Sequence, residues 1–333
     1  MVAMRVTVDE IAKIANVSKA TVSRVLNNSP KGVSDETRKR VQKIIKDMNY
    51  ELRGREPSMW TRTIALVIPD ITNPFFSELA KEVENSASDN NYYVVLVNTE
   101  FSEERECEYL IRLLTKKIDG IILVPSGSVV RQEHLLPQKY NIPLLLLDRK
   151  LRGEHSFVGV YTDSEYAAFK SCELMIKNGS REIAFIGGTP NASTSIERLN
   201  GYKAAMTHFN INYNINLIRQ GNYTVESGYD AVMELAKQNI RFSAILAAND
   251  LMALGAMTAV KEFGFRVPED VEIMGYDNII LSKYCDPALS TCQQPTIDMG
   301  RRAVGNILKM IKGEKNIENV TLQPQLIKRK TTR

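Results

Sequence analysis

Residues 6–28 read VTVDEIAKIANVSKATVSRVLNN. Thr7 and Glu10 stand three apart as a capping box, in which hydroxyl and carboxylate satisfy free amides at a helix start. Ile11, Ala12 and Ala15 then recur at helical spacing. The pattern breaks at Asn16-Val17, and Ser18 supplies a second N-cap ahead of a helix whose apolar stripe is Val22, Val25 and Leu26. Two short helices joined by a tight turn are the helix-turn-helix signature. A third helix is predicted after Val33, with Ser34 as N-cap, Asp35 and Glu36 in its positive first turn, and Val41, Ile44, Ile45 and Met48 facing inward.

The second helix presents Lys19, Ala20, Ser23, Arg24 and Asn27 on its polar face. Arg and Lys donate to guanine, a small Ala admits a thymine methyl, and Ser and Asn reach phosphates or base edges. A merely solvated face would carry the same residue types, but here they sit beside a turn signature. Charge agrees: residues 1–62 hold thirteen Lys/Arg against seven Asp/Glu, net +6, in a chain whose total is only +4. A basic head on a near-neutral body implies a polyanion gripped by the head alone, since Lys and Arg facing phosphates gain from counterion release.

This stretch resembles the DNA-reading head of the lac repressor (LacI/GalR) family of bacterial regulators. The resemblance implies that Lys19, Ala20 and Arg24 read bases in operator double-stranded DNA. Thr7, Ser18, Thr21, Ser23 and Asn27 take phosphate-facing positions, and Tyr50 matches the aromatic that closes the head. The head is expected over residues 1–50 and a linker over 51–62, ELRGREPSMWTR. In the family that stretch usually carries an Asn-Ala-x-Ala-Arg-x-Leu hinge helix that wedges the minor groove. The motif is missing here.

From Thr63 the chain alternates apolar runs with amphipathic helix-length segments: TIALVIPD, YYVVLVNTE, DGIILVPS, IPLLLLDR and FVGVYTD, then EIAFIGG, AILAAND and VEIMGYD. Near-continuous Ile, Leu and Val runs of this kind predict parallel strands covered on both faces. Two blocks are visible, one to about Tyr161 and one from Thr162 to about Ser290. The helix IDMGRRAVGNILKMIKG returns to the first block. An α/β body at 63–333 is expected, with one lobe near 63–161 and 291–320, a second near 162–290 and 321–333, and hinge crossings near Thr162, Ser290 and Thr321.

In open parallel sheets ligands sit beyond the carboxyl ends of the strands. Those ends are polar here: Asp70 with Asn73-Pro74-Phe75-Phe76, Asp148-Arg149, Thr189 to Ser195 leading to Arg198, Asn249-Asp250, Asp277-Asn278 and Gln293-Gln294. Carboxylates and amides pair with vicinal hydroxyls, planar Arg holds two oxygens at once, and aromatic faces cover the apolar side of a sugar ring. Taken singly each has a structural explanation, such as Asp148 as a helix cap, Phe75 and Phe76 as core, or Arg198 as half of a surface pair. Recurrence at successive strand ends favours a shared cleft.

Residues 63–325 resemble the two-lobed periplasmic sugar-binding fold that the family shares, and NPFF, LDR, SIERLNGY, AAND and GYD resemble its ribose-binding members. The resemblance implies ligand contacts from Asn73, Phe75, Phe76, Asp148, Arg149, Arg198, Asn249, Asp277 and Gln293, with ribose as first choice. The fold class expected is an α-helical helix-turn-helix head plus a periplasmic-binding-protein-like α/β domain of two lobes, each a parallel sheet flanked by helices. The implied function is a repressor that leaves its operator when sugar binds. Other sugars, a purine or a phosphoprotein corepressor are the alternatives within this class.

With 333 residues, 44% hydrophobic and 25% charged, two or three soluble domains are expected. A nucleotide-using enzyme would need GxxxxGK[ST] or GxGxxG, and neither occurs. His134, His155 and His208 are the only histidines and none has a catalytic-looking setting, so the chain reads as a non-enzyme with no cofactor. Cys107, Cys172, Cys285 and Cys292 form no CxxC pair and read as buried apolar residues of a reducing compartment, not metal ligands. A sugar-transport receptor would share the body but carry a secretion signal and no basic head; MVAMRVTVDEIAK lacks an apolar signal core, and no run approaches a membrane span. A cytoplasmic protein is expected. One head reads a half-site, so twofold operators call for a homodimer. The ending KRKTTR has no leucine heptad for a tetramer.

Overall fold

The computed structural model describes residues 8–26, 32–48 and 60–333, and the chain divides into two units, Met1–Trp60 and Thr61–Arg333. In the first, α1 (Val8–Ile14), α2 (Lys19–Leu26) and α3 (Asp35–Asp47) bury Ile11, Ala12, Ala15, Val22, Val25 and Val41 against one another. Asn16 adopts a left-handed conformation in the turn, which Asn tolerates better than most residues. Ser18 Oγ accepts from the Thr21 amide at 3.1 Å, and Ser34 Oγ from the Thr37 amide at 3.3 Å, so both serines cap the helices they precede. Thr7, Asn27, Tyr50 and linker residues 51–59 lie outside the described residues, as does the Ser23 side chain.

The second unit is an α/β body of two lobes. Its first sheet is all parallel, formed by β1 (Thr63–Ile68), β2 (Tyr93–Asn98), β3 (Gly120–Leu123), β4 (Leu144–Asp148), β5 (Gly159–Thr162) and β11 (Val320–Leu322) in the order β11-β5-β4-β3-β1-β2. Successive β1 residues alternate between two cores: Ile64, Leu66 and Ile68 pack on one side with α4 (Pro74–Ser88) and α12 (Thr296–Ile311). Ala65 and Val67 face the other core, with Leu110 and Leu113 of α5 (Glu103–Leu114). β1, β3 and β4 are covered on both faces and need no polar alternation, hence their unbroken apolar runs, whereas the edge strand β2, expected from its apolar run to be covered too, leaves Tyr93, Val95 and Leu96 exposed. α6 (Gln132–Lys139) packs against α5.

The second sheet, β7-β6-β8-β9, joins β6 (Ile183–Gly187), β7 (Ile218–Gln220), β8 (Ala244–Ala247) and β9 (Glu272–Met274), again all parallel. α7 (Ser164–Lys177) packs on α8 (Ser193–His208), and α9 (Val225–Lys237) on α10 (Asp250–Glu262). The chain enters this lobe after β5. Ser290 and Gln293 still bridge to Met274 and Asp277, so the return runs through β10 (Thr291–Gln293) a few residues beyond Ser290. β11 then closes the first sheet, and β12 (Gln325–Ile327) pairs antiparallel with β10. α11 (Leu281–Tyr284) is one short turn between β9 and β10. Among the described residues no helix is long and apolar enough to cross a membrane.

Candidate ligand cavity and nucleic-acid interface

Strand ends from both lobes face a common cavity lined by Asn73, Phe75, Phe76, Asp148, Arg149, Thr194, Arg198, Tyr223, Asp277 and Gln294. The space between them is small, about 240 Å³ including its mouth. After β1, Asn73 caps α4 by accepting from the Phe75 amide at 3.0 Å, which sets both phenyl rings in the first turn. Their rings meet edge to face, with centroids 5.0 Å apart. Asp148 ends β4 in the left-handed region, φ 65°, and Arg149 follows with its guanidinium 5.6 Å from the Phe76 ring and 5.4 Å from those of Phe101 and Tyr223. Arg149 also donates to the Pro125 carbonyl at 3.2 Å.

From the second lobe, Arg198 projects out of α8, lies 3.6 Å from the centre of the Tyr276 ring and donates to the Ala248 carbonyl. Asp277 follows β9 at φ 111° and accepts from Gln294 Nε2 at 2.9 Å. Tyr223, between β7 and α9, is also left-handed at φ 70°. Two contacts beside the cavity tie the lobes together: the Lys150 amide donates to Ser193 Oγ at 2.8 Å, and Lys150 Nζ to Glu197 at 2.7 Å.

Four ionisable side chains are buried here, with exposures of 5% for Asp148, 2% for Arg149, 4% for Arg198 and 8% for Asp277. Burial raises the pKa of both carboxyls; Arg149 and then Arg198 oppose it at Asp148, and Arg198 opposes it at Asp277. Burial works against the Arg198 charge, but Tyr276, Asp277, Tyr223 and Asp148 around it raise its pKa on balance. Several cavity atoms are buried without a hydrogen-bond partner: Asp148 Oδ1, Arg149 Nε, Arg198 Nε, Gln294 Oε1 and the Tyr223 hydroxyl. Buried polar groups are normally paired, so such a cluster marks a place where something else supplies partners.

Seven of the nine residues singled out in the sequence thus line one cavity. The other two do not. Asn249 caps α10, accepting from the Met252 amide at 2.9 Å and donating to the Tyr223 carbonyl at 3.0 Å, so its amide is spent on positioning Tyr223. Gln293 pairs with Gln325 in the β10–β12 ladder, and its neighbour Gln294 turns into the cavity instead. Adjacent strand residues face opposite ways, so a one-residue misplacement exchanges the two. Thr194 lies within the polar run Thr189 to Ser195, whereas Tyr223 carries no sequence signal of a ligand contact. In the head, Lys19, Ala20 and Arg24 are exposed along α2, while Ser18 and Thr21 share a 2.9 Å hydrogen bond between their hydroxyls.

Residues 61–330 match the family model for periplasmic binding proteins and the sugar binding domain of the LacI family, and residues 7–51 match that of the bacterial regulatory proteins, lacI family. The chain belongs to the LacI family. Catabolite control protein A of Priestia megaterium is similar to this LacI-family chain at 34% identity over 329 residues, 97% of this chain and 98% of the relative. Among solved structures, the transcriptional regulator CelR in complex with cellobiose matches with a TM-score of 0.76 at 29% identity, covering 98% of this chain and all of that one. A LacI family regulator from Enterococcus faecium with bound ribose matches with a TM-score of 0.72 at 28% identity, covering 81% of this chain and 98% of that one. This LacI-family protein is therefore a transcriptional regulator with a helix-turn-helix head and a ligand-binding body.

Proposed function

We propose that the chain is a homodimeric repressor that holds operator DNA through α2 and releases it when a small neutral sugar, ribose first, enters the cavity between its lobes. The unpaired cavity atoms carry this reading. Two are donors, Arg149 Nε and Arg198 Nε; two are acceptors, Asp148 Oδ1 and Gln294 Oε1; the Tyr223 hydroxyl is both. Sugar hydroxyls also donate and accept, so a polyol can meet all three kinds of demand at once. A phosphate offers acceptors alone and would face Asp148 and Asp277. Two buried carboxyls and two buried guanidiniums line the cavity together, so its wall offers acceptors and donors side by side, as vicinal hydroxyls require. Phe75 and Phe76 supply apolar faces for ring carbons. A relative of the same family carries bound ribose, and another is described with cellobiose, so the family fold admits more than one sugar.

For operator recognition, Lys19, Ala20 and Arg24 are exposed on a helix capped by Ser18, the position from which such helices enter a major groove. Selecting duplexes from a random pool and titrating the best one with protein, with and without ribose, tests the whole reading. Ribose is expected to weaken binding about 5- to 150-fold, the usual range of allosteric coupling. Unchanged operator affinity with every sugar of a panel, while a purine or a phosphoprotein alters it, rejects the sugar.

A further inference from the structure

Glu106 of α5 and His134 of α6 are buried together, 1% and 2% exposed, and neither lines the cavity. His134 Nε2 lies 2.8 Å from Glu106 Oε1. The other ring nitrogen fixes the direction of that bond. Nδ1 lies 2.9 Å from the backbone amide of Arg131, which can only donate, so the ring proton sits on Nε2 and is given to Glu106. The second carboxylate oxygen accepts from the Ser126 amide at 2.6 Å. Ser126 follows Pro125, whose carbonyl accepts from Arg149 at 3.2 Å. The Ser126 hydroxyl also bonds that of Thr99 at 2.8 Å, two residues before Phe101, whose ring lies 5.4 Å from the Arg149 guanidinium. Two contacts of Arg149 thus stand on segments braced from Glu106. Packing alone does not require this pair, since well-packed apolar residues in place of a buried polar pair often cost no stability. An apolar pair could not grip an amide of the segment after β3.

We propose that Glu106, oriented by His134, is a positioning residue that sets the Pro125 carbonyl and through it the Arg149 guanidinium for the ligand. The inference rests on Arg149 contacting a sugar in the cavity. A carboxylate is needed at 106 because two donors reach it, the imidazole Nε2–H and the Ser126 amide, and glutamine offers a single acceptor oxygen to both. Binding groups have to be held within about 0.5 Å of their productive place by hydrogen bonds behind them, so slack in the Pro125 segment passes directly to Arg149.

Glu106→Gln leaves one of the two donors unpaired. Calorimetric titration of the full chain, E106Q, R149M and the double variant with D-ribose and a panel of other pentoses and hexoses forms a cycle. E106Q is expected to bind the tightest-binding sugar about 10-fold more weakly than wild type, and to change nothing once Arg149 is gone. A second readout needs no sugar: the Arg149 Nε–Hε resonance of the unliganded protein, identified by its loss in R149M, should move in E106Q. Ser126→Ala, the milder change, removes only the contact with Thr99; it should show the same pattern at about 3-fold and carries the test if E106Q does not melt cooperatively. An equal loss of affinity with and without Arg149, or no loss at all, overturns the proposal and leaves the sugar reading standing, as does an Arg149 resonance that moves in neither variant. If no sugar binds wild type while the resonance moves, the sugar reading falls and the positioning of Arg149 by Glu106 stands.

Discussion

Replacing Arg149 by Met separates what its charge does for the ligand from what it does for the fold. The guanidinium is enclosed by the rings of Phe76, Phe101 and Tyr223 at 5.4 to 5.6 Å, donates to the Pro125 carbonyl, and has its Nε 3.7 Å from Asp148 Oδ2. Met fills much of the same space with an adaptable apolar chain, so the lost volume is small. A hydrogen bond from a charged donor contributes about 1.5 to 3 kcal/mol. If Arg149 gives one to the sugar, affinity should fall roughly 10- to 150-fold. Stability behaves differently. Burial already holds the Asp148 carboxyl above its usual pKa, and Arg149 is the first influence opposing that. In R149M the carboxyl rises further and is neutral over a wider range. A group whose folded pKa is raised contributes stability at low pH and loses it as pH climbs through that value. The melting-temperature gap between wild type and R149M should therefore be smallest at acid pH and widen as pH rises above the usual carboxylate range. There a net loss of about 1 to 3 kcal/mol corresponds to roughly 3 to 8 °C for a body of this size. Thermal melts across pH together with calorimetric titration measure both. A gap independent of pH would refute the electrostatic reasoning, and unaltered sugar affinity would remove Arg149 from the ligand.

Arg24→Ala should cost about 1 to 3 kcal/mol at the selected operator and relax preference at one base pair; an equal loss on every sequence would place Arg24 on a phosphate instead. Asp250, which accepts from the Thr291 hydroxyl at 2.6 Å and the Ile279 amide at 2.9 Å, has its carboxyl pushed up to about 7, chiefly by burial. Its stabilising contribution is whole at acid pH and fades as pH rises toward that value, so the melting gap between wild type and Asp250→Asn should narrow from pH 5 to pH 8, and parallel curves would count against it.

Which parts of this were legible in the sequence follows from burial. Strands covered on both faces show as unbroken apolar runs, and β1, β3 and β4 are of that kind. β7 is not. Its three residues, Ile218–Gln220, lie at a sheet edge, only partly buried, and two of them are polar, so the strand that leads to Tyr223 carries no apolar run. The local turn chemistry was present, since Asn222 Oδ1 accepts from the Thr224 hydroxyl at 2.7 Å and Thr224 caps α9. Asn249 shows another limit. An amide after a strand is the right residue both for capping a helix and for gripping a hydroxyl, and only the three-dimensional partners tell them apart. In the head the reading was easier, because Ser18 and Ser34 act on amides three residues away and capping is local.

Local strain gathers at the same place as the unpaired polar atoms. Among the described residues seven of the thirteen non-glycine residues with left-handed backbone are Asn, which tolerates it; of the other six, Phe101, Asp148, Tyr223 and Asp277 lie at the cavity or its rim, and Arg62 and Glu100 do not line it. Strain of this sort costs about 1 to 3 kcal/mol per residue, and a buried unpaired polar atom about as much. Burying these polar atoms unpaired is therefore unfavourable, and a ligand offsets that cost in proportion to the hydrogen bonds it adds. A ligand shifts a conformational equilibrium only by its difference in affinity for the two states, and coupling of about 1 to 3 kcal/mol needs only one or two of the five cavity atoms to be newly paired. A molecule that packs against Phe75 and Phe76 but leaves those atoms unpaired should occupy the cavity without changing operator affinity.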